Sequence, residues 1–463
     1  MAFCGFFVST TGAKLSNTGS HVVLMRSGTR TVVSMRNDYA GPVEDFALVV
    51  PVPVVLQSDQ VKTLPAEIFD KLERYTEPRL VKYAEADPCP PTGAGGYGYG
   101  SINLGGRGLS AVRVEAHFVV GEYDVVILSA SDALSLETWL SSNGYALPDG
   151  AAAALRPYVQ QGLKFFVAKV DARRVRFEAG RARLSPLRFH YDSESFSLPI
   201  RLGRLNATGP QDLLVHVLAR QTRYEAANRP NVFLPTNVDL TPAAAPFFRS
   251  WVDQLFDRIA KKTPGVVVTE YAWALSNCDP CSGVPPTEAE LLSLGLDVIE
   301  GPYEEPDFRV VNEAALGPVH AEAVRDQLGR ITRKYRSTFM NSTFVVTRLH
   351  TRLDGQSDDL VFRAAPSVTG GREDDVVTSE VRATPLNSFQ ARYAIRQPWT
   401  MPVTCRTPAW GNWVEPGRAA AVEQRVFQGA FESLVESPIP SLKIKGLKAA
   451  PGASFKGKHS AAP

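Results

Sequence analysis

His21-Val-Val-Leu-Met-Arg26 and Thr29-Arg-Thr-Val-Val-Ser-Met35, separated by Ser27-Gly28, decide the fold class. Both arms are rich in β-branched residues, which suit a pleated, half-buried surface. Ser-Gly between two such runs is the signature of a two-residue hairpin. Phe46 to Leu56 reads as a further strand, but Pro51 and Pro53 each lack an N–H, so it lies on a sheet edge or ends early. Pro65 opens a helix, where a missing N–H costs nothing. Ile68, Phe69 and Leu72 form that helix's apolar stripe, with Glu67, Lys71 and Glu73 turned to water.

Further along, Val112 to Val120 alternates apolar and polar residues as a strand does, and Tyr123 to Leu128 follows as a second strand after Gly121. Leu134 to Leu140 is a short helix stopped by Asn143-Gly144, and Ala151 to Gln161 is another with Pro157 inside it. Phe165 to Val170 reads as a strand buried on both faces. Between Pro246 and Lys262, Phe247, Trp251, Leu255 and Ile259 recur at steps of four. Val266 to Leu275 is then a strand entering Cys278-Asp-Pro-Cys281. Thr287-Glu-Ala-Glu290 is a capping box before Leu291, Leu292 and Leu294, with Gly295 as the C-cap. Ala321 to Tyr335 is a further amphipathic helix, and strands return at Phe344 to Leu349, Leu360 to Arg363 and Ala391 to Ile395.

Helices and strands mix without βαβ alternation. That predicts an α+β fold of mixed, mostly antiparallel sheets with packed helices and a strand-rich N-terminal half. Three divisions follow: a domain over 1–240, a second α+β domain over 241–435 carrying the Cys-Asp-Pro-Cys turn, and a basic, disordered tail over 436–463. The tail lacks the apolar content that offsets ordering entropy. A solvated end is its plain reading, and contact with an anionic surface is the other.

Composition sets bounds. The 463 residues are 44% apolar and 21% charged with a net charge of +2, which gives no electrostatic footprint for nucleic acid. No apolar run approaches the roughly 20 residues a membrane-spanning helix needs. Five cysteines stand at Cys4, Cys89, Cys278, Cys281 and Cys405, an odd number that leaves one thiol over. The opening Met-Ala-Phe-Cys lacks the basic and apolar regions of a secretory signal. Cys278 and Cys281 could be a structural disulfide or disulfide partners, half of a zinc site, or a redox couple. The structural reading leads, because Ser-Gly-Val-Pro-Pro follows where a redox motif needs a helix N-terminus.

Gly93-Ala-Gly95-Gly-Tyr-Gly98 matches a dinucleotide fingerprint in letters, yet Cys89-Pro-Pro-Thr precedes it where a strand is required, so it reads as a loop. Gly452 to Lys458 mimics a phosphate-binding loop, but His459 stands where Ser or Thr must hold magnesium. His190, Asp192, His350, Asp354, Asp358 and Asp359 are the candidate ligands for a divalent ion, Ca²⁺ or Zn²⁺. The plainer reading of Asp354-Gly355 is a turn between two strands with its acids in water. Arg188 and its neighbours Arg173, Arg174, Arg176, Arg181 and Arg183 are expected to pair with local acids.

Several phrases together resemble a bacterial family. They are Cys4-Gly-Phe-Phe-Val8, Tyr39-Ala-Gly-Pro-Val-Glu-Asp-Phe46 running into Val50-Pro-Val-Pro53, Gly121-Glu-Tyr-Asp-Val-Val-Ile-Leu-Ser-Ala130, Cys278-Asp-Pro-Cys281, Thr347-Arg-Leu-His350, Asp358-Asp-Leu-Val-Phe362 and Gln390-Ala-Arg-Tyr393. The family is known only as domain of unknown function 2330. The resemblance runs from about Cys4 to about Cys405 and implies an exported protein, periplasmic or extracellular, with Cys4 near a mature N-terminus. It carries over no activity and no catalytic residue. Three functions compete on these grounds: an extracytoplasmic binding or surface-structural protein with accessory disulfides, meeting an unknown ligand or cell-surface component; a metal-dependent hydrolase built around His350 and Asp358; and thiol–disulfide exchange at Cys278 and Cys281.

Overall fold

The computed structural model describes residues 5–9, 16–40, 46–89, 118–129, 133–171, 175, 177–178, 181–206, 209–275, 283–299, 344–353, 358–371, 381–414 and 424–436. The hairpin forms as read, with Ser16–Ser27 antiparallel to Arg30–Ala40, but its two-residue loop is Gly28-Thr29. Gly28 takes φ +55°, which glycine adopts most readily, and so fixes the loop one residue later.

That hairpin begins a large mixed sheet. Its central order is Arg30–Ala40, Ser16–Ser27, Gln211–Arg220, Phe344–Leu353, Val267–Ala274 and Ser388–Gln390. The pairing of Ser16–Ser27 with Gln211–Arg220 is parallel, and the other central pairings are antiparallel. Segments on either side of residue 240 thus share one sheet. A second sheet of five strands runs Phe6–Ser9, Phe46–Val52, Lys164–Val170, Tyr123–Ser129, Phe118–Val120. Phe46–Val52 ends early, as its prolines require, yet it is an inner strand. Its pairing with Phe6–Ser9 stops at Val49, so Pro51 lies beyond the partner on that side.

Side-chain parity sorts the core into layers. Phe46, Leu48, Val50, Phe166 and Ala168 meet Val22, Leu24, Leu213, Val215 and Leu349 between the two sheets. The alternate residues Ala47, Val49, Phe165 and Val167 meet Leu136, Leu140, Leu155 and Tyr158 of helices Ala133–Ser142 and Ala151–Gln160. Phe165 to Val170 is therefore buried on both faces, as read. The far face of the large sheet carries helix Glu67–Thr76, through Ile68, Phe69, Leu72 and Tyr75, and helix Phe248–Lys262, through Trp251, Leu255, Phe256 and Ile259. The result is a helix–sheet–sheet–helix stack of the expected α+β class.

The Thr287 capping box forms. Gly295 does take a positive φ of +135°, but the backbone remains helical through Asp297–Ile299, so it marks a kink rather than an end. Among the described residues no helix is long and apolar enough to cross a membrane. Most of Val112 to Val120, the helix expected over Ala321 to Tyr335 and the tail beyond Glu436 lie outside the described residues.

Candidate functional site

Polar side chains gather where apolar ones should be. On the far face of the large sheet, Phe344 and Val346 are buried apolar residues, but the same face of that strand continues with Arg348, His350 and Arg352. Strand parity alone brings them to the seam between helices Glu67–Thr76 and Phe248–Lys262. Opposite Arg348, strand Val267–Ala274 slips register between Thr269 and Tyr271. The extra residue in that bulge is Glu270. Bulges re-aim side chains, and this one sets a carboxylate between a guanidinium and an imidazole.

Glu270 Oε2 accepts from Arg348 Nε at 2.6 Å, and Oε1 lies 2.9 Å from His350 Nδ1. Burial pushes the Glu270 carboxyl up, but Arg348 and His350 outweigh it and hold the group at about 2. An ionised carboxylate only accepts, so His350 Nδ1 carries a proton, and a ring holding that one proton has its lone pair on Nε2. The His350 ring stacks on Phe256 at a centroid distance of 3.6 Å. Asp253, one turn earlier on that helix, is exposed as a residue, yet the protein around its carboxyl raises its pKa; His350 opposes the rise and Glu270, Asp257 and Asp212 add to it. Arg352 bridges Asp212 and Asp257 beside them.

The network also runs inward. Arg348 donates to the Glu73 carbonyl at 3.1 Å, at the C-terminal end of helix Glu67–Thr76. The Thr76 hydroxyl donates to the Leu72 carbonyl at 2.7 Å, so it must accept from His216 Nε2, also at 2.7 Å. His216 Nδ1 is then the acceptor for His21 Nε2–H at 2.7 Å. One tautomer choice satisfies the whole chain, and it leaves His21 Nδ1 as a buried acceptor without a partner among the described residues. Both rings have pKa values well below 6.5, chiefly through burial; Arg36 and Arg348 add to the effect at His21, and His21 and Arg348 at His216.

The expected metal ligands do not converge. Asp359 Oδ1 accepts the Tyr158 hydroxyl and the Ile200 and Arg201 N–H groups, and Asp358 pairs with Arg201. The reason is topological: Leu360–Ala365 leaves the His350 sheet and pairs with Arg223–Ala226 and Ser197–Leu198. Asp192 is held by both nitrogens of an Arg30 fork, and His190 lies on the same strand with its pKa lowered by burial and by Arg30 and Arg188. Asp354 lies outside the described residues. Among the described residues no group of three or more His, Cys, Asp or Glu side chains is placed to hold an ion. Arg188 pairs with Asp297, 109 positions away, and not with a local acid. Cys4, Cys278 and Cys281 are outside the described residues, but Cys89 and Cys405, 316 positions apart, form a disulfide with a Cα–Cα distance of 5.6 Å.

Glu270, Arg348, Thr76 and His21 were not singled out from sequence as members of a site, and His216 stood out only as a histidine near a carboxylate in sequence, like His190 and His350. One signal was present. Glu270 is the single charge in the apolar run Val266 to Leu275, and His216 interrupts a similar run.

These features define a layered α+β protein with a long-range disulfide and a carboxylate-oriented imidazole at a helix seam. The chain belongs to the family described as an uncharacterised protein conserved in bacteria (DUF2330), whose model matches residues 1–357. That span holds every member of the His21-to-His350 network and ends before Cys405. No curated protein and no solved structure matches the chain.

Proposed function

We propose that this protein works outside the bacterial cytoplasm as a disulfide-clamped binding protein, taking its ligand at the seam that presents His350. The Cys89–Cys405 bond carries the reading, because such bonds persist in oxidising compartments and are rare in reducing ones. The seam supports the binding role: an oriented imidazole and an acid-rich rim lie on a helix and a sheet instead of on loops. Alkylation of protein from its native compartment, before and after reduction, tests the compartment. Cys89 and Cys405 should react only after reduction; labelling of both beforehand would refute it.

One observation favours a second reading, hydrolysis. Glu270 leaves His350 Nε2 free to take a proton from water, the arrangement of a general base. Hydrolysis of p-nitrophenyl acetate by wild type and His350→Gln separates the two. Equal rates fit binding alone, and a rate lost in the folded variant fits the hydrolase.

A further inference from the structure

The last turn of helix Glu67–Thr76 is tied to the sheet by polar groups, whereas its earlier turns are held by apolar ones. Ile68, Phe69 and Leu72 bury with Val23, Met25 and Leu218 in one cluster. At the C-terminal end, where helix carbonyls lack intrahelical partners, three strands supply polar contacts. His216 Nε2 meets the Thr76 hydroxyl at 2.7 Å, Arg348 donates to the Glu73 carbonyl at 3.1 Å, and Gln390 Nε2 donates to the Glu77 carbonyl at 2.9 Å. Tyr75 is the large apolar side chain of that turn, with its hydroxyl on the Leu275 carbonyl at 3.3 Å.

Both buried histidines face this helix. His216 does so through Thr76, and His21 through an edge contact with the Phe69 ring at 5.1 Å. Among the described residues neither ring bonds a carboxylate. The charges that act on them are cations, Arg36 from strand Arg30–Ala40 and Arg348 from strand Phe344–Leu353. The acids alongside are committed elsewhere: Asp70 of the helix to Arg36, Glu270 to Arg348, Asp212 to Arg352, and Glu77 to Arg249. Lys71 of the helix is paired with Glu290. Arg348 also holds the negative end of the helix, where a histidine cation would otherwise gain.

A proton thus finds no anionic partner beneath the helix while the turn is seated. With the turn lifted, both rings meet water and bind protons in the ordinary way. Only the lifted form takes up protons readily, so acid favours it. Lifting must also carry Tyr75 out of its apolar cluster, which keeps this form a minor one at neutral pH. We propose that the C-terminal turn of helix Glu67–Thr76 is an acid-released latch on the His350 seam: protons taken up by His21 and His216 free it from the sheet and uncover Arg348 beside His350. As regulation of a binding site the latch rests on the seam's being one, but its opening is measured without any ligand, so the two readings fail separately.

Amide hydrogen exchange of the full-length, oxidised protein tests the latch, with rates corrected for the intrinsic effect of pH. The Glu77 N–H is bonded to the Glu73 carbonyl, so it reports release of the turn that Arg348 holds. Each ring exposed by lifting favours the open form about tenfold more at pH 5.5 than at pH 7.5, so exchange at residues 74–77 should rise about tenfold to a hundredfold. The rise should be insensitive to low urea, because a small opening exposes little surface whereas global unfolding exposes much. Thr76→Val, which removes the acceptor for His216, should raise exchange at pH 7.5 about fivefold. His21→Gln with His216→Gln should abolish the pH dependence; if the double variant fails to fold, each single variant should lose about tenfold of it. Exchange at residues 74–77 that does not rise with acid, that follows urea as global unfolding does, or that keeps its full pH dependence in the folded histidine variants would each overturn the proposal.

Discussion

Mild acid should destabilise this protein, and the buried histidine pair sets the amount. His21 and His216 are held neutral in the folded state, each with its pKa well below 6.5. In the unfolded chain both rings return to ordinary behaviour and bind protons as pH falls below 6.5. The unfolded state therefore binds more protons, and folding stability is complete above 6.5 and declines as pH drops beneath it. Each ring contributes up to about 1.36 kcal/mol per pH unit. Were both rings to stay neutral down to pH 5, the loss from pH 6.5 would be about 3 kcal/mol, a substantial part of the 5–15 kcal/mol typical of domains. The structure offers no easy relief. A proton would enter at His21 Nδ1, the bare nitrogen of the His21–His216 pair, and place a charge in the core on the side of Arg36 and Arg348. Urea unfolding followed by circular dichroism between pH 7.5 and 5 measures this directly. His21→Gln should fold less stably at pH 7.5 and show about half the wild-type slope. Wild-type stability that is flat across this range, or a slope unchanged in both His21→Gln and His216→Gln, would refute the neutral-pair account.

Two further expectations follow from the same face of the sheet. Glu270 titrates at about 2 when folded against an ordinary 4.5, so its stabilisation of about 3 kcal/mol is present above 4.5 and disappears as pH falls towards 2. Glu270→Gln should remove this acid dependence, and at pH 7 it should cost about 3–5 kcal/mol by leaving buried Arg348 without its anion, as read by urea midpoints. At Gly295 an added Cβ would lie 2.7–2.9 Å from the Val32 side chain at φ +135°. Gly295→Ala should therefore lower stability by about 2–4 kcal/mol, and an unchanged melting temperature would contradict the packing described.

The elements that were legible share one property: their signal is local. Alternation and a turn glycine identify the hairpin, a step of four identifies helix Phe248–Lys262, and Thr287 with Glu290 identifies a helix start. Even there, the loop shifted by one residue, because φ at Gly28, not the letters Ser-Gly, fixes the turn. The metal grouping rested on nearness in sequence. His350 and Asp358 are eight positions apart, yet the strand holding His350 and the strand that begins after Asp359 pair with different partners, so Asp359 became an anchor for Tyr158 and the Ile200 backbone.

Sequence by itself determined the class of the protein, since apolar periodicity dictates which faces must leave water, and that suffices for sheets with helices packed on them. It also determined the segregation of lysines at the C-terminal end. Only the tertiary structure decided which strands became neighbours, and with them the site. His21 and His216 meet across 195 positions through a parallel pairing, and Glu270 reaches Arg348 and His350 because one bulge turns it inward. Long-range pairing follows from how whole layers bury their surfaces together, and no window of residues carries that information.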